Sequence, residues 1–309
     1  MEVSLLVPAK DEKDNIAPLV KYFLEFTQRH NLNWEMIIVD DGSVDGTYEE
    51  LKRVASGYPN IKFYRHRRNL GVTHALKTAL RHAKYKVVAF FPADLQFTLE
   101  DVLKMSERIE KEGIDLVAGW KMGKYEKQFV SRIYNFLVRV LFGIKIHDMN
   151  SIKVMRREIL ELLPLRKDWH RYIIPWAKEY GFKIVEERVI LRPRIYGVSK
   201  YRGFGRILVG FFDLLSVKFL ITFRRKPMFF FGGLGLLSTV LGILTGIIAL
   251  YLRIFRHFGY RPLIYLVMFL LLSGLILFLM GFLGELISGL YDTIEGESLL
   301  KYEEDEGNS

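Results

Sequence analysis

The sequence predicts an α/β domain built on a mainly parallel sheet, followed by helices at a membrane surface and two membrane-crossing helices. Three observations carry this. Short β-rich runs alternate with amphipathic helical patterns through about the first two hundred residues, the signature of βαβ units. Nearly all of the continuous apolar sequence lies after Pro227. No charged residue occurs from Pro227 to Leu252, or again from Pro262 to Gly284, and at about 1.5 Å per residue each stretch can cross a hydrocarbon core of about 30 Å. A buried soluble hairpin is the alternative.

Val3 to Val7 is a strand ending at Pro8, after which Asp14 or Asn15 offers a cap for a helix with Ile16, Leu19, Phe23 and Phe26 at helical spacing. Glu35 to Val39 is a second strand, closed by Asp40-Asp41-Gly42-Ser43. Thr47-Tyr48-Glu49-Glu50 then reads as a capping box opening a helix. A third strand, Ile61 to Tyr64, leads through Arg68-Asn69-Leu70-Gly71 to a helix with Ala75, Leu76, Ala79 and Leu80 on one face. The fourth, from Lys86, stops abruptly at Pro92-Ala93-Asp94-Leu95-Gln96, and Thr98 with Asp101 caps the next helix, which frees Asp94 for other work. Asp115 to Lys121 is a strand ending in a cation. Phe129 to Phe142 is a basic amphipathic helix suited to a bilayer surface, with Arg132, Asn135 and Arg139 on one side. Ile152 to Met155 is a further strand, and Trp169-His170-Arg171 precedes a helix through Ala177. A lone histidine such as His170 is more often structural than catalytic, although His170 and Arg171 could line a ligand pocket.

In such sheets ligands bind outside the carboxyl ends of the strands, so Pro8 to Glu12, Asp40-Asp41 and Asp94 to Gln96 should converge on one edge.

Composition narrows the partners. The net charge of +10 conceals a −6 segment from Tyr291 onward, where seven acids face one Lys301, leaving +16 on the rest. The densest basic cluster, Arg224-Arg225-Lys226, immediately precedes an apolar segment, so anionic lipid explains it better than nucleic acid, and no nucleic-acid partner is expected. With no cysteine, neither disulfides nor thiolate metal sites can form. Met1 to Val7 runs straight into a strand and shows no secretory signal, which places the first domain in the cytosol.

Four segments together resemble a family: Val7-Pro8-Ala9-Lys10-Asp11-Glu12, Val39-Asp40-Asp41-Gly42-Ser43-Val44-Asp45-Gly46-Thr47, Arg68-Asn69-Leu70-Gly71 and Ala93-Asp94-Leu95-Gln96. In this order they are similar to the family 2 glycosyltransferases of GT-A (Rossmann-like) fold, in the branch of polyprenyl-phosphate sugar synthases such as dolichol-phosphate mannose synthase. Arg194-Ile195-Tyr196-Gly197-Val198-Ser199-Lys200 also resembles that branch's Arg-x-x-Gly-x-Ser-Lys element, which extends the likeness over almost the whole chain.

The resemblance implies inverting transfer of a hexose from a nucleotide sugar, of the GDP-mannose or UDP-glucose type, to the phosphate of a dolichyl or undecaprenyl lipid. It implies nucleotide-sugar contacts at Pro8, Lys10, Glu12, Val39, Asp41, Ala93, Asp94, Gln96, Lys121, Arg194 and Lys200, with Asp94, Lys121, Arg194 and Lys200 catalytic. The chain departs from the pattern at Pro92, where the usual Asp-x-Asp-x-Gln has its first Asp, at Lys121, where an Arg is usual, and at Lys10, where mannose synthases often carry Tyr.

Chemistry supports the metal role independently. Asp94 and Gln96 offer a carboxylate and an amide carbonyl, hard oxygen donors that suit Mg²⁺ or Mn²⁺ far better than zinc, and such a cation neutralises a departing diphosphate. A polyprenyl phosphate is already ionised near neutral pH, so no general base is nominated. Arg132 is the candidate for the lipid phosphate, with a solvated or salt-bridged surface Arg as its alternative.

The expected layout is a cytosolic catalytic domain over 1–202, interfacial amphipathic helices over 203–226, two transmembrane helices over 227–290 (about 227–252 and 262–287) and an acidic cytosolic tail over 291–309. Arg224-Arg225-Lys226 favours a cytosolic front in a multi-pass cell-membrane protein, against Arg253, Arg256 and Arg261 in the connecting loop. Alternatives are a catalytically silent nucleotide-binding membrane scaffold, for which Pro92 speaks, and transfer to another lipid or polysaccharide acceptor. A processive polysaccharide synthase is disfavoured because the chain has no Gln-x-x-Arg-Trp element. Homo-oligomerisation stays open.

Overall fold

A computed structural model describes residues 1–122, 128–164, 166–194, 205–223, 226–257, 259 and 261–307, with backbone alone for 128–132, 205–208 and 291–307. The chain divides into two compact units, Met1–Leu214 and Leu215–Ser309.

The first unit is an α/β domain around a seven-stranded sheet of order β3-β2-β1-β4-β6-β5-β7. Its strands are β1 (Glu2–Ala9), β2 (Asn33–Asp40), β3 (Ile61–Arg65), β4 (Val87–Phe90), β5 (Leu116–Met122), β6 (Lys153–Arg156) and β7 (Ile184–Ile190). Helices α1 (Lys13–Arg29), α2 (Thr47–Ala55), α3 (Val72–Arg81) and α4 (Leu99–Glu112) supply the parallel crossovers. Strand β6 alone runs against its neighbours, pairing Phe90 with Lys153 on β4 and Ala118 with Lys153 on β5. That inversion has a consequence for the site: the start of β6 lies at the same edge as the ends of β1, β2, β4 and β5.

Central strands read as apolar runs because both faces are covered. Residues Val3, Leu5, Leu6, Val7, Met36, Ile37, Ile38 and Val39 have no exposed surface. Helix α1 buries Ile16, Leu19, Phe23 and Phe26 on one stripe, as their spacing predicts.

Two helix starts differ from expectation. Helix α1 begins at Lys13, ahead of Asp14 and Asn15, and Asn15 is buried within it, its Nδ2 donating to Glu12 Oε2. The expected capping box at Thr47 is not formed: Gly46 takes a left-handed φ of 93° as N-cap, which lets Asp45 Oδ1 accept from the Thr47 N–H at 3.0 Å. Glu50 instead pairs with Arg53 at 2.9 Å. The box at Thr98 and Asp101 is present as read, with Asp101 N–H donating to Thr98 Oγ1 at 3.1 Å.

Further along, α5 (Gln128–Phe142) buries Asn135 and Val138 and exposes Ile133, Phe136 and Val140. Short helix α6 (Arg157–Leu162), a 3-10 turn at Trp169–Tyr172 and α7 (Ile173–Glu179) complete the domain. Within the segment expected as interfacial amphipathic helices, residues 205–223 form a single helix, α8 (Gly205–Phe223).

The second unit holds the last residues of α8 and a hairpin of α9 (Pro227–Phe255) and α10 (Arg261–Gly307). Over Pro227–Phe255 and Arg261–Leu290 these are long and apolar enough to cross a membrane. Small residues let the two backbones meet. A Cβ on Gly274 would fall 2.8 Å from Gly235 O, and one on Gly235 would fall 2.7 Å from Gly274 O. At one end Glu285 Oε2 accepts from the Met228 N–H at 3.2 Å, capping the start of α9 from the other helix.

Replacing Gly274 by Leu should therefore force the helices apart at a cost of about 1–3 kcal/mol. Its readout is a lower thermal midpoint of the detergent-solubilised protein, and an unchanged midpoint would contradict the packing described.

Candidate active site

The loops leaving β1 and β2 are laced together by their own polar groups. Asp11, at a positive φ of 47°, donates its N–H to Ser43 Oγ at 2.8 Å and accepts from the Val44 N–H at 2.9 Å. Glu12 N–H donates to Thr47 Oγ1 at 2.9 Å, and Lys10 Nζ donates to Gly42 O. Pro8 and Val39 are register partners across these strands. Val39 is fully buried and Ala93 nearly so, so neither presents an open surface to a ligand.

Asp40 and Asp41 divide the work at the end of β2. Asp40 Oδ1 accepts from the Ser43 N–H at 2.9 Å, and its other oxygen faces Arg65 Nε at 3.3 Å. The Asp41 carboxylate accepts from the Leu70 and Gly71 N–H groups, both at 2.8 Å, and lies 2.8 Å from His66 Nδ1. His66 Nε2 continues to Thr78 Oγ1 at 2.9 Å. Asp41 thus positions the Arg68-Asn69-Leu70-Gly71 loop, a role its sequence setting did not disclose because its partners lie 25 to 30 residues away.

At the end of β4, Phe91 is fully buried and its N–H bonds Leu6 O at 3.1 Å, so the chain leaves the sheet rigidly. Leu95 takes a positive φ of 56°, a strained conformation for a branched side chain, and sits between Asp94 and Gln96. Asp94 is only 8% exposed. Its Oδ2 receives Nη2 of Arg194 at 2.7 Å, a charge-assisted contact. A short ladder fixes the two segments: Arg192 N–H donates to Gln96 O at 2.8 Å and Gln96 Nε2 to Arg192 O at 3.2 Å. Beside it lies a groove of about 490 Å³ lined by Pro18, Tyr22, Leu95, Phe97, Arg192, Pro193 and Arg194.

The end of β5 and the start of β6 supply further charge. Lys121 Nζ meets Asp148 Oδ2 at 3.3 Å and Asn150 O at 3.1 Å. Lys153, which sequence reading did not single out, is fully buried, with Nζ donating to Ser151 O at 3.0 Å and lying 5.7 Å from the Phe90 ring centroid. Its signal was a lone cation inside the apolar run Ile152 to Met155. Burial pulls its ammonium down to about 7, against the support of Asp148, and Lys121 pushes it the same way. His170 is buried, its N–H held by Thr73 Oγ1 at 3.1 Å and its ring 6.1 Å from that of Phe90. Burial, with Arg171 and Lys153 nearby, holds His170 well below its usual range and keeps it neutral.

The structure therefore gathers Pro8, Lys10, Glu12, Asp41, Asp94, Gln96 and Lys121 along one sheet edge and joins Arg194 to Asp94. Lys200 lies outside the described residues, and Arg132 falls in α5 with its side chain outside the described part. Among the described residues no group of three or more His, Asp or Glu gathers to hold a metal. The set at hand is one carboxylate and one amide, both hard oxygen donors, and the carboxylate already attracts a cation in Arg194. That fits a divalent ion completed by a ligand's phosphates.

Lys153 binds its proton more weakly folded than unfolded, so the unfolded chain holds more protons between about pH 7 and 10 and stability rises with pH there. Lys153→Met should flatten that rise in a series of thermal midpoints; an undiminished rise would contradict the assignment.

Comparison with known proteins places the chain in a family. The pattern of Glycosyl transferase family 2 matches residues 4–163. The chain is 32% identical over 304 residues to dodecaprenyl-phosphate galacturonate synthase of Rhizobium johnstonii, covering 94% of this chain and 89% of that one. It is 26% identical to undecaprenyl-phosphate 4-deoxy-4-formamido-L-arabinose transferase of Pectobacterium atrosepticum, over 94% of this chain and 90% of that one. Among solved structures, glucosyl-3-phosphoglycerate synthase of Mycobacterium tuberculosis, crystallised with Mn²⁺ and UDP, shares the fold with a TM-score of 0.56 at 18% identity, over 71% of this chain and 78% of that one. Fold and sequence pattern agree: the protein is a glycosyltransferase of family 2.

Proposed function

We propose that the protein transfers a sugar from a nucleotide sugar to the phosphate of a membrane polyprenyl phosphate, with inversion and with Mg²⁺ or Mn²⁺ as cofactor. The observation that carries this reading is the Asp94 carboxylate at the end of β4, paired with Arg194 on the edge that also bears Lys121. Supporting it, the relatives whose names specify a polyprenyl phosphate match this chain through both the sheet domain and the apolar hairpin. The solved structure of like fold, with Mn²⁺ and UDP, supports a divalent cation in general terms.

In this mechanism an oxygen of the lipid phosphate attacks the anomeric carbon. The bond from that carbon to the diphosphate oxygen breaks, and the nucleoside diphosphate departs with the electron pair. The attacking phosphate is already an anion, so no side chain has to remove a proton. Asp94 and Gln96 would hold the divalent cation, which neutralises charge on the departing diphosphate. Arg194 and Lys121 add fixed positive charge; a guanidinium can grip two phosphate oxygens, whereas the lysine acts as a point charge. The laced loops of Lys10, Asp11 and Glu12 with Gly42, Ser43 and Thr47 hold the nucleotide edge rigid, and Asp41 acts on the nucleotide through the loop it positions.

For the lipid, exposed Ile133, Phe136 and Val140 on α5 and Val209, Phe211 and Phe212 on α8 suit a bilayer interface. Arg132 is the residue assigned to the acceptor phosphate. The basic cluster Arg224-Arg225-Lys226 favours a cytosolic catalytic domain.

Purified protein given Mn²⁺, a short polyprenyl phosphate and a panel of radiolabelled nucleotide sugars, uronic donors included, should move label onto lipid. Nucleotide binding without transfer from any donor would replace the enzyme reading with a silent scaffold. Asp94→Asn should lower kcat/KM by about 10²-fold or more; full retained activity would remove Asp94 from the cation. Arg132→Ala should raise KM for the lipid phosphate more than KM for the nucleotide sugar, and the reverse ranking would count against its assignment.

A further inference from the structure

One carboxylate serves two claimants at this site. Asp94 Oδ2 lies 2.7 Å from Arg194 Nη2, and the side chains are only 11% and 24% exposed, so the pair is well shielded from solvent. A guanidinium seated on Asp94 occupies Oδ2, while Oδ1 accepts from the Gln96 N–H at 3.3 Å, and it brings a positive charge where a divalent cation would have to sit. Two residues earlier stands Pro92, which adds no second carboxylate, so Asp94 and Arg194 together are electrically neutral. A neutral pair has little to offer a dication.

The backbone carrying Arg194 need not move to change this. Arg192 is tied to Gln96 by hydrogen bonds of 2.8 and 3.2 Å, which keeps the 192–194 segment alongside the Asp94 loop whichever anion the guanidinium grips. Lys121, another cation of this edge, is engaged by Asp148 and Asn150 O, and among the described residues Arg194 is the cation in direct contact with Asp94.

We propose that Arg194 is an exchangeable counter-cation: its guanidinium leaves Asp94 for the diphosphate of the arriving nucleotide sugar and so releases the carboxylate to the divalent cation. The proposal rests on the reading of Asp94 as a metal ligand. A diphosphate offers a guanidinium two parallel acceptor oxygens and more negative charge than one carboxylate, which drives the exchange. Metal and nucleotide then bind with positive coupling, each strengthening the other by the same factor.

The test is Mn²⁺ binding to the full-length protein in detergent, measured by water-proton relaxation enhancement, which separates protein-bound ion from Mn²⁺–UDP in solution. Wild-type protein should bind Mn²⁺ about tenfold or more tightly with UDP present than without it. Arg194→Gln should strengthen the binding of Mn²⁺ alone about fivefold or more and shrink the effect of UDP. Arg194→Lys, which keeps the charge without the fork, should fall between them and guards against a folding defect, checked by circular dichroism. Asp94→Asn should abolish the protein-bound signal throughout. If Arg194→Gln leaves the binding of Mn²⁺ alone unchanged or weaker while Asp94 is still required, the exchange is wrong and the metal reading stands. No protein-bound Mn²⁺ under any condition would overturn both.

Discussion

A carboxylate at the rim of a closely packed sheet cannot remain there uncompensated, because burial disfavours its charge. Asp94 meets that constraint through Arg194, and much of the local architecture serves the meeting. Phe91 anchors the end of β4 in the core, Leu95 accepts a left-handed backbone, and Gln96 clasps Arg192 so that Arg194 arrives at the right place. On the side of β4 away from β1, the antiparallel β6 adds Lys153 and the end of β5 adds Lys121, which pairs with Asp148. An edge built this way is rich in cations held by short, specific contacts.

What could be read in advance was whatever depends on local pattern. Period and composition placed the strands and the amphipathic helices, and Thr98 with Asp101 was a complete box because both members lie within one helical turn. Where a local signal competed with a neighbour, it lost: Thr47 and Glu50 had the right spacing, but Gly46 offered a left-handed turn that let Asp45 cap instead. Asn15 looked like a cap by residue type and became an interior residue because the helix starts ahead of it, at Lys13.

Long-range roles were less legible. Asp41 looks like a ligand acceptor in isolation, yet its oxygens serve Leu70, Gly71 and His66, residues no spacing rule connects to it. Lys153 was hidden for the opposite reason, since a lysine in a strand ordinarily points to solvent, whereas this one is completely buried in β6, between β4 and β5. In the hairpin, the apolar runs announced the helices, while the contact of Gly235 with Gly274 and the cap from Glu285 to Met228 needed the fold.

The central claim, that the Asp94 loop is the catalytic cation site and Arg194 its partner at the diphosphate, is tested most directly by a crystal or cryo-electron structure with Mn²⁺ and UDP. The account predicts Mn²⁺ within about 2.0–2.6 Å of an Asp94 carboxylate oxygen, with the Arg194 guanidinium on the diphosphate. Nucleotide bound with Mn²⁺ away from Asp94, or with Arg194 still seated on that carboxylate, would contradict it.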